Sequence, residues 1–197
     1  MLAENQFRAL AGFFPELKER TARDIEEYTN LTHEPVYRIL KSLVKTRHLI
    51  EKKVGRTNVY EPVFTEDLYL VYIYFMTRKI NKFKEKHYLL HKRLREFANS
   101  IKAHSVILFG SYAKGTQTQR SDIDVLVVSR KKDIDKTART FKTKYNISIK
   151  PLVIKPKEFR NIKTDNLSFY KDLVEFGIVL SGTEFLFEEV YKNAKVV

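Results

Sequence analysis

Residues 105–129 read SVILFGSYAKGTQTQRSDIDVLVVS. Ser105 to Phe109 is a short run of mostly β-branched and large apolar side chains, the composition of a buried strand. Gly110 and Ser111 follow at once, and Ser111 to Lys114 reads as a short helix. The triplet Asp122-Ile123-Asp124 then opens a second apolar strand that continues through Val128. Each part has a physical use. Gly110 lacks a Cβ, so backbone there can approach a phosphate closely. Ser111 offers a hydroxyl and helix-start N–H groups to phosphate oxygens. Asp122 and Asp124 stand two apart on a strand, which turns both carboxylates to one face. Paired hard oxygen ligands beside a triphosphate cradle suit Mg²⁺.

Composition bounds what surrounds this stretch. The chain has 197 residues, 37 Lys plus Arg against 24 Asp plus Glu, and a formal charge of +13. Such a balance points to a polyanionic partner. No cysteine is present, which excludes a disulfide scaffold, a thiolate metal site and a cysteine nucleophile. The start, MLAENQFRAL, lacks the pattern of a secretory signal. The longest apolar run, Leu68 to Met76, is too short to cross a bilayer. A cytoplasmic protein with no membrane partner is the expectation.

Three segments are expected, 1–64, 65–101 and 102–197. Between Pro62 and Gly110 lie 47 residues without Gly or Pro, so a long connecting helix, broken at most once, is predicted there. Its start, LYLVYIYFM, is apolar all round and predicts burial on several sides. It packs against its own domains or against a second copy, as in a homodimer. His87 and His91 are spaced for one helix face, but no third ligand is evident and a solvated basic face is the reading taken.

In the first segment Thr21 is predicted to cap a helix, with Asp24 completing a capping box. A second helix starts behind Thr32 and buries Val36, Ile39, Leu40, Leu43 and Val44. Leu49 to Val54 and Asn58 to Glu61 then pair around Gly55-Arg56-Thr57. The run NLTHEPVYRILKSLVKTRHLIEKKVGRTNVYEP, residues 30–62, resembles a winged helix-turn-helix domain. That resemblance implies double-stranded DNA as partner and a role in transcription regulation. His33, Tyr37, Arg38, Lys41 and Lys45 would lie on the recognition face, with Lys53 and Arg56 at the wing. A protein-docking module is the other reading.

The stretch at 105–129 resembles the DNA polymerase β-like nucleotidyltransferase superfamily, and more narrowly the minimal nucleotidyltransferases of archaea and bacteria. The match rests on Gly110, Ser111, Gly115, Ser121, Asp122 and Asp124 in an apolar–Gly–Ser–x₁₀–Asp–x–Asp–apolar frame. It implies a nucleotide-binding, Mg²⁺-dependent transferase that uses an NTP, with ATP expected. Asp122 and Asp124 would be catalytic and metal-binding. Gly110, Ser111, Lys114, Ser121 and Lys150 would hold the nucleotide, Lys150 by touching phosphate. Acceptors in this family include small hydroxyl compounds and protein tyrosines, notably of HEPN-type toxin partners. The family supplies a third carboxylate from the next strand, here within Asn146 to Ile154, and none is found; Ser148 and Lys150 alternate towards the site instead. Two readings therefore stand: a transferase, or a nucleotide sensor or docking module without turnover. The tail predicts a helix over Leu167 to Phe176, stopped by a left-handed Gly177, then a strand over Ile178 to Leu180. Phe169 or Tyr170 could stack on a base, although core packing is the commoner use of such residues. The fold class is α+β: a winged helix-turn-helix domain, a connecting helix and a small mixed-sheet nucleotidyltransferase fold.

Overall fold

A computed structural model describes residues 2–131 and 133–192. The chain divides into two units, residues 1–77 and 78–197.

The first unit opens with α1 (Glu4–Ala11), a helix not expected from the sequence. Only its small and aliphatic end, Ala9, Leu10 and Ala11, is buried, so its apolar face is too brief to read as a periodic stripe. The two-residue strand β1 (Arg20–Thr21) leads into α2 (Ala22–Thr29). Here the expected capping box is present: the Thr21 hydroxyl accepts from the Asp24 N–H while the Asp24 carboxylate accepts from the Thr21 N–H at 2.7 Å. Asn30 takes a left-handed conformation and turns the chain into α3 (His33–Lys45). Thr32 precedes α3, but its side chain makes no capping bond, a correction to the expected cap. Val36, Leu40 and Leu43 are buried as the spacing requires. β2 (Leu49–Val54) and β3 (Thr57–Pro62) pair in the order β1-β3-β2, with Val54 opposite Thr57 across the turn.

Within the expected segment 65–101, Asp67–Ser100 form one helix, α4, interrupted at His87, whose φ is −135° and ψ 43°. It is shared between the two units at residue 77. Within the first unit Tyr72 and Phe75 pack on Phe14, with ring centroids 5.5 Å apart in each case. Burial is less complete than an all-apolar run predicts: Leu70 is 51% exposed and Ile73 38%.

The second unit is built on a four-stranded mixed sheet in the order β6-β5-β4-β7. β4 (Ser105–Leu108) and β5 (Ile123–Val128) are antiparallel, β7 (Ile178–Ser181) pairs antiparallel with β4, and β6 (Ile149–Ile154) runs parallel to β5. The central strands are buried on both faces, which explains their unbroken apolar composition. Val106, Leu108, Val125 and Val127 pack with Leu94 and Phe97 of α4 and with Ala138 and Phe141 of α6 (Ile134–Tyr145). α5 (Gly110–Lys114) joins β4 to the loop before β5. α7 (Pro156–Asp165) was not expected, because Phe159 is its only buried side chain. α8 (Leu167–Phe176) matches its expected span, and α9 (Thr183–Phe187) widens into a π-helical turn over Glu188–Lys192.

Gly177 is not a left-handed stop: its φ is −51° and ψ 137°. Glycine is required there for another reason, because a Cβ would run into the Leu173 carbonyl and meet Ile107 Cγ2 at 3.1 Å. Gly177→Ala is expected to cost about 2 kcal/mol by overpacking. Gly115→Ala, at φ +74° but with no atom within 4 Å of the new Cβ, should cost about 1 kcal/mol. Urea unfolding of the two variants tests the order.

Candidate active site

The site grows from the end of β4. Leu108 lies opposite Val125, and the Phe109 N–H donates to the Asp124 carbonyl at 3.0 Å. The backbone then swings through Gly110 at φ +70°, where a Cβ would collide with Asp124 Oδ2. Gly110 is thus needed twice, for its left-handed conformation and for the carboxylate seated against its Cα. Ser111 lies in the first turn of α5, half-buried and beside that carboxylate's strand.

After α5 the chain returns through a loop closed on itself. The Thr118 N–H donates to Ser121 Oγ at 2.9 Å and the Ser121 N–H to the Thr118 carbonyl at 3.1 Å. Ser121 therefore fixes the approach to Asp122, which stands just before β5. The Ile123 N–H donates to the Ser148 carbonyl at 3.1 Å, tying Asp122 to the parallel strand β6. Across that pairing Asp124 lies opposite Lys150.

The two carboxylates have different environments. Lys150 Nζ lies 2.6 Å from Asp122 Oδ2. That ammonium, with a Ser148 hydrogen bond and the more distant Lys142 charge, holds the Asp122 carboxyl below the ordinary aspartate range against a smaller effect of burial. Asp124 is pushed upward, chiefly by burial and also by the Asp122 charge, with Lys150 opposing. Mutual influence of this kind places the pair in one charged group. Hard oxygens on neighbouring positions, one firmly ionised and one backed by a glycine that leaves it room, fit a divalent cation held by Asp122 and Asp124. Among the described residues no cluster of three or more His, Asp or Glu side chains forms.

The remaining expected residues are placed as follows. Lys114 is tied to Asp172 of α8 at 2.7 Å and lies 5.3 Å from the Phe176 ring centroid. Phe169 makes an edge contact with Phe109, centroids 5.3 Å apart, so it is packing against the strand end. His87 packs at a tilt against Phe83, meets Tyr112 edge-on and lies 3.0 Å from the Gln117 amide nitrogen; the His91 pKa is lowered by burial and then by the Lys84 and Arg95 charges. A cavity of about 570 Å³ on the Asp122 flank, with Arg120, Tyr112 and Asn146 in its walls, was not expected. Nor was the Lys150–Asp122 pair. Alternation along β6 turned Lys150 towards the site, but the partner depends on a parallel register that local sequence does not state.

In the first unit the basic residues fall into two groups. Lys41 is held by Glu51 at 2.6 Å, and Glu51 also accepts from Asn58 and Tyr60. Arg38 pairs with Glu34 at 3.0 Å, His33 lies 2.6 Å from Glu26, and Tyr37 is 40% exposed. Lys45, Lys53 and Arg56 are exposed, and none of them forms an ion pair among the described residues.

A family model described as a nucleotidyltransferase domain matches residues 91–176. "Putative protein adenylyltransferase MJ0604" of Methanocaldococcus jannaschii is 35% identical over 100 residues, which cover 45% of this chain and 95% of that protein. A second protein of the same organism, "Putative protein adenylyltransferase MJ0141", is 34% identical over 98 residues, 43% of this chain and 92% of its own. A solved toxin–antitoxin structure with AMP-PNP aligns with 54% of this chain and 88% of its own at 19% identity and a TM-score of 0.37, a likeness too slight to carry fold or ligand. Among the described residues no helix is long and apolar enough to cross a membrane.

Burial of Asp124 has a stability consequence. A carboxyl raised in the folded state binds its proton more tightly than the unfolded chain does. Its ionisation therefore weakens the fold above the raised value and costs nothing below the ordinary aspartate range. Asp124→Asn is expected to raise the thermal midpoint at pH 7, with the gain fading as the pH falls through the aspartate range. Melting curves across pH check this.

Proposed function

We propose that this chain, which belongs to the nucleotidyltransferase domain family, binds a magnesium nucleoside triphosphate against Gly110 and Ser111 and transfers its nucleotidyl group to a hydroxyl acceptor. The observation that carries the reading is the Asp124 carboxylate seated against a left-handed Gly110, one residue before Ser111. It sets anion-binding backbone and cation-binding oxygens side by side. Mg²⁺, when bound, supplies positive charge to the triphosphate and to the phosphorus under attack. The acceptor oxygen forms a bond to the α-phosphorus, the bond from that phosphorus to the bridging oxygen breaks, and pyrophosphate leaves. The hydroxyl proton passes to solvent water at the open side of the site, because both carboxylates are committed to the cation. The names of the two M. jannaschii relatives favour ATP as donor and a protein hydroxyl as acceptor, and a HEPN-type toxin is one such protein.

The first unit we read as a winged helix-turn-helix domain that docks α3 in a major groove of duplex DNA and sets the β2–β3 hairpin on the backbone. Its support is the order of α2, α3 and the hairpin, together with the exposed cations Lys45, Lys53 and Arg56. Lys41 is a poorer contact than its position on α3 implies, since Glu51 neutralises it. One observation favours a second reading, a nucleotide-sensing regulator without turnover: the third group beside Asp122 and Asp124 is an ammonium.

Incubation with α-labelled ATP, Mg²⁺ and a panel of tyrosine-bearing proteins and small hydroxyl compounds tests the transfer. Covalent label is expected, falling at least about 100-fold in Asp122→Ala and in Asp124→Ala. Labelling by both variants equal to that of the parent, or nucleotide binding with no transfer from any of the four NTPs, overturns it. For the DNA role, the triple variant Lys45→Ala/Lys53→Ala/Arg56→Ala should flatten the salt dependence of duplex binding by about 2 to 3 in slope. Lys41→Ala should leave it nearly unchanged.

A further inference from the structure

The pairing that builds the site also sets a cation into it. β5 and β6 are parallel with Asp124 opposite Lys150, so the Lys150 stem leaves the sheet beside the carboxylates. Its ammonium crosses to Asp122, Nζ to Oδ2 at 2.6 Å. Both ends of the pair are open to water: the Lys150 side chain is 64% exposed and that of Asp122 37%. The group therefore carries two negative charges and one positive, and no further His, Asp or Glu joins it among the described residues. A bare divalent cation that takes Asp122 has to displace an ammonium from one of its oxygens and then remain near a like charge. A triphosphate reverses that balance, because it gives the displaced ammonium an anion of its own.

We propose that Lys150 is an exchangeable internal counterion that makes cation and nucleotide binding mutually dependent. It occupies Asp122 in the free protein, yields that carboxylate when Mg²⁺ arrives with a nucleoside triphosphate, and moves to a phosphate oxygen. Lys150 is in this sense a positioning residue, acting on the ligands through Asp122. The identity of the anion rests on the nucleotidyl-transfer reading; the exchange at Asp122 rests on the geometry alone. The arrangement has a use. A site that takes the bare cation poorly stays unloaded until the complete substrate is present, and the coupling is reciprocal by linkage.

Mn²⁺ is the probe, followed by electron paramagnetic resonance of the full chain with and without AMP-PNP. In the free protein, Lys150→Met is expected to tighten Mn²⁺ about fivefold, the scale of one screened ion pair. With AMP-PNP present the same variant should bind the manganese–nucleotide complex more weakly than the parent, so the coupling between the two ligands shrinks. In an Asp122→Asn background, where the pair is already broken, Lys150→Met should tighten bare Mn²⁺ by at most about twofold, through the remaining like charge alone. Far-UV circular dichroism of the exposed-site variants confirms that each is folded. Unchanged or weaker Mn²⁺ affinity in Lys150→Met, or the same tightening in the Asp122→Asn background, overturns the proposal. No acceptor or turnover enters the titration. A chain that shows the exchange but transfers nothing loses only the function proposed above, and a chain that transfers without the exchange loses only this inference.

Discussion

The close approach of Asp124 to Gly110 is the constraint on which the second unit's site depends. Gly110 leaves β4 with a positive φ, and the space where its Cβ would stand holds a carboxylate oxygen of the adjacent strand. Any side chain at that position would push the carboxylate away or force the turn into another shape. Because Phe109 also donates to the Asp124 carbonyl, backbone and side chain of one aspartate lock the turn from both directions. The strand pair, the glycine and the acid are thus a single device. Its position at the end of a strand buried on both faces gives it a rigid base.

Around this device the second unit divides labour between charge and packing. Asp122, Ser148 and Lys150 form the exposed, polar side of the site, where ion pairs are individually weak and exchangeable. Phe109, Phe169 and Gly177 form its packed side, where Ile107 and Leu173 leave no space for a further methyl group. The contrast explains why Asp122 and Asp124, two positions apart, are shifted in opposite directions. One meets an ammonium in water, and the other is turned inward against backbone.

Much of this was legible in the sequence because it is local. The capping box at Thr21 and Asp24, the buried stripe of α3, and the order strand, Gly-Ser, Asp-x-Asp, strand each lie within one or two elements. What escaped was set by tertiary structure. Lys114 meets Asp172, which is 58 positions away, and Lys41 meets Glu51 on a different element, so both had the appearance of free cations. Helices α1 and α7 bury too little to announce themselves as stripes. At Gly177 the sequence is ambiguous, because two different demands, positive φ and lack of space, select the same residue. The Lys150–Asp122 pair needed the parallel register of β5 and β6, and a crossover through α6 gives no local sign of it.

On the reading we propose, Asp122 and Asp124 together hold a divalent cation against a triphosphate at Gly110 and Ser111. Paramagnetic relaxation of the ¹³C-labelled aspartate carboxyls by Mn²⁺, with AMP-PNP bound, reads that juxtaposition directly, without any chemical step. Strong relaxation of the Asp122 and Asp124 carboxyl signals, well beyond that of the other aspartates, is expected in the parent chain. Relaxation of those two carboxyls no stronger than that of aspartates remote from the site, with nucleotide bound, would overturn it.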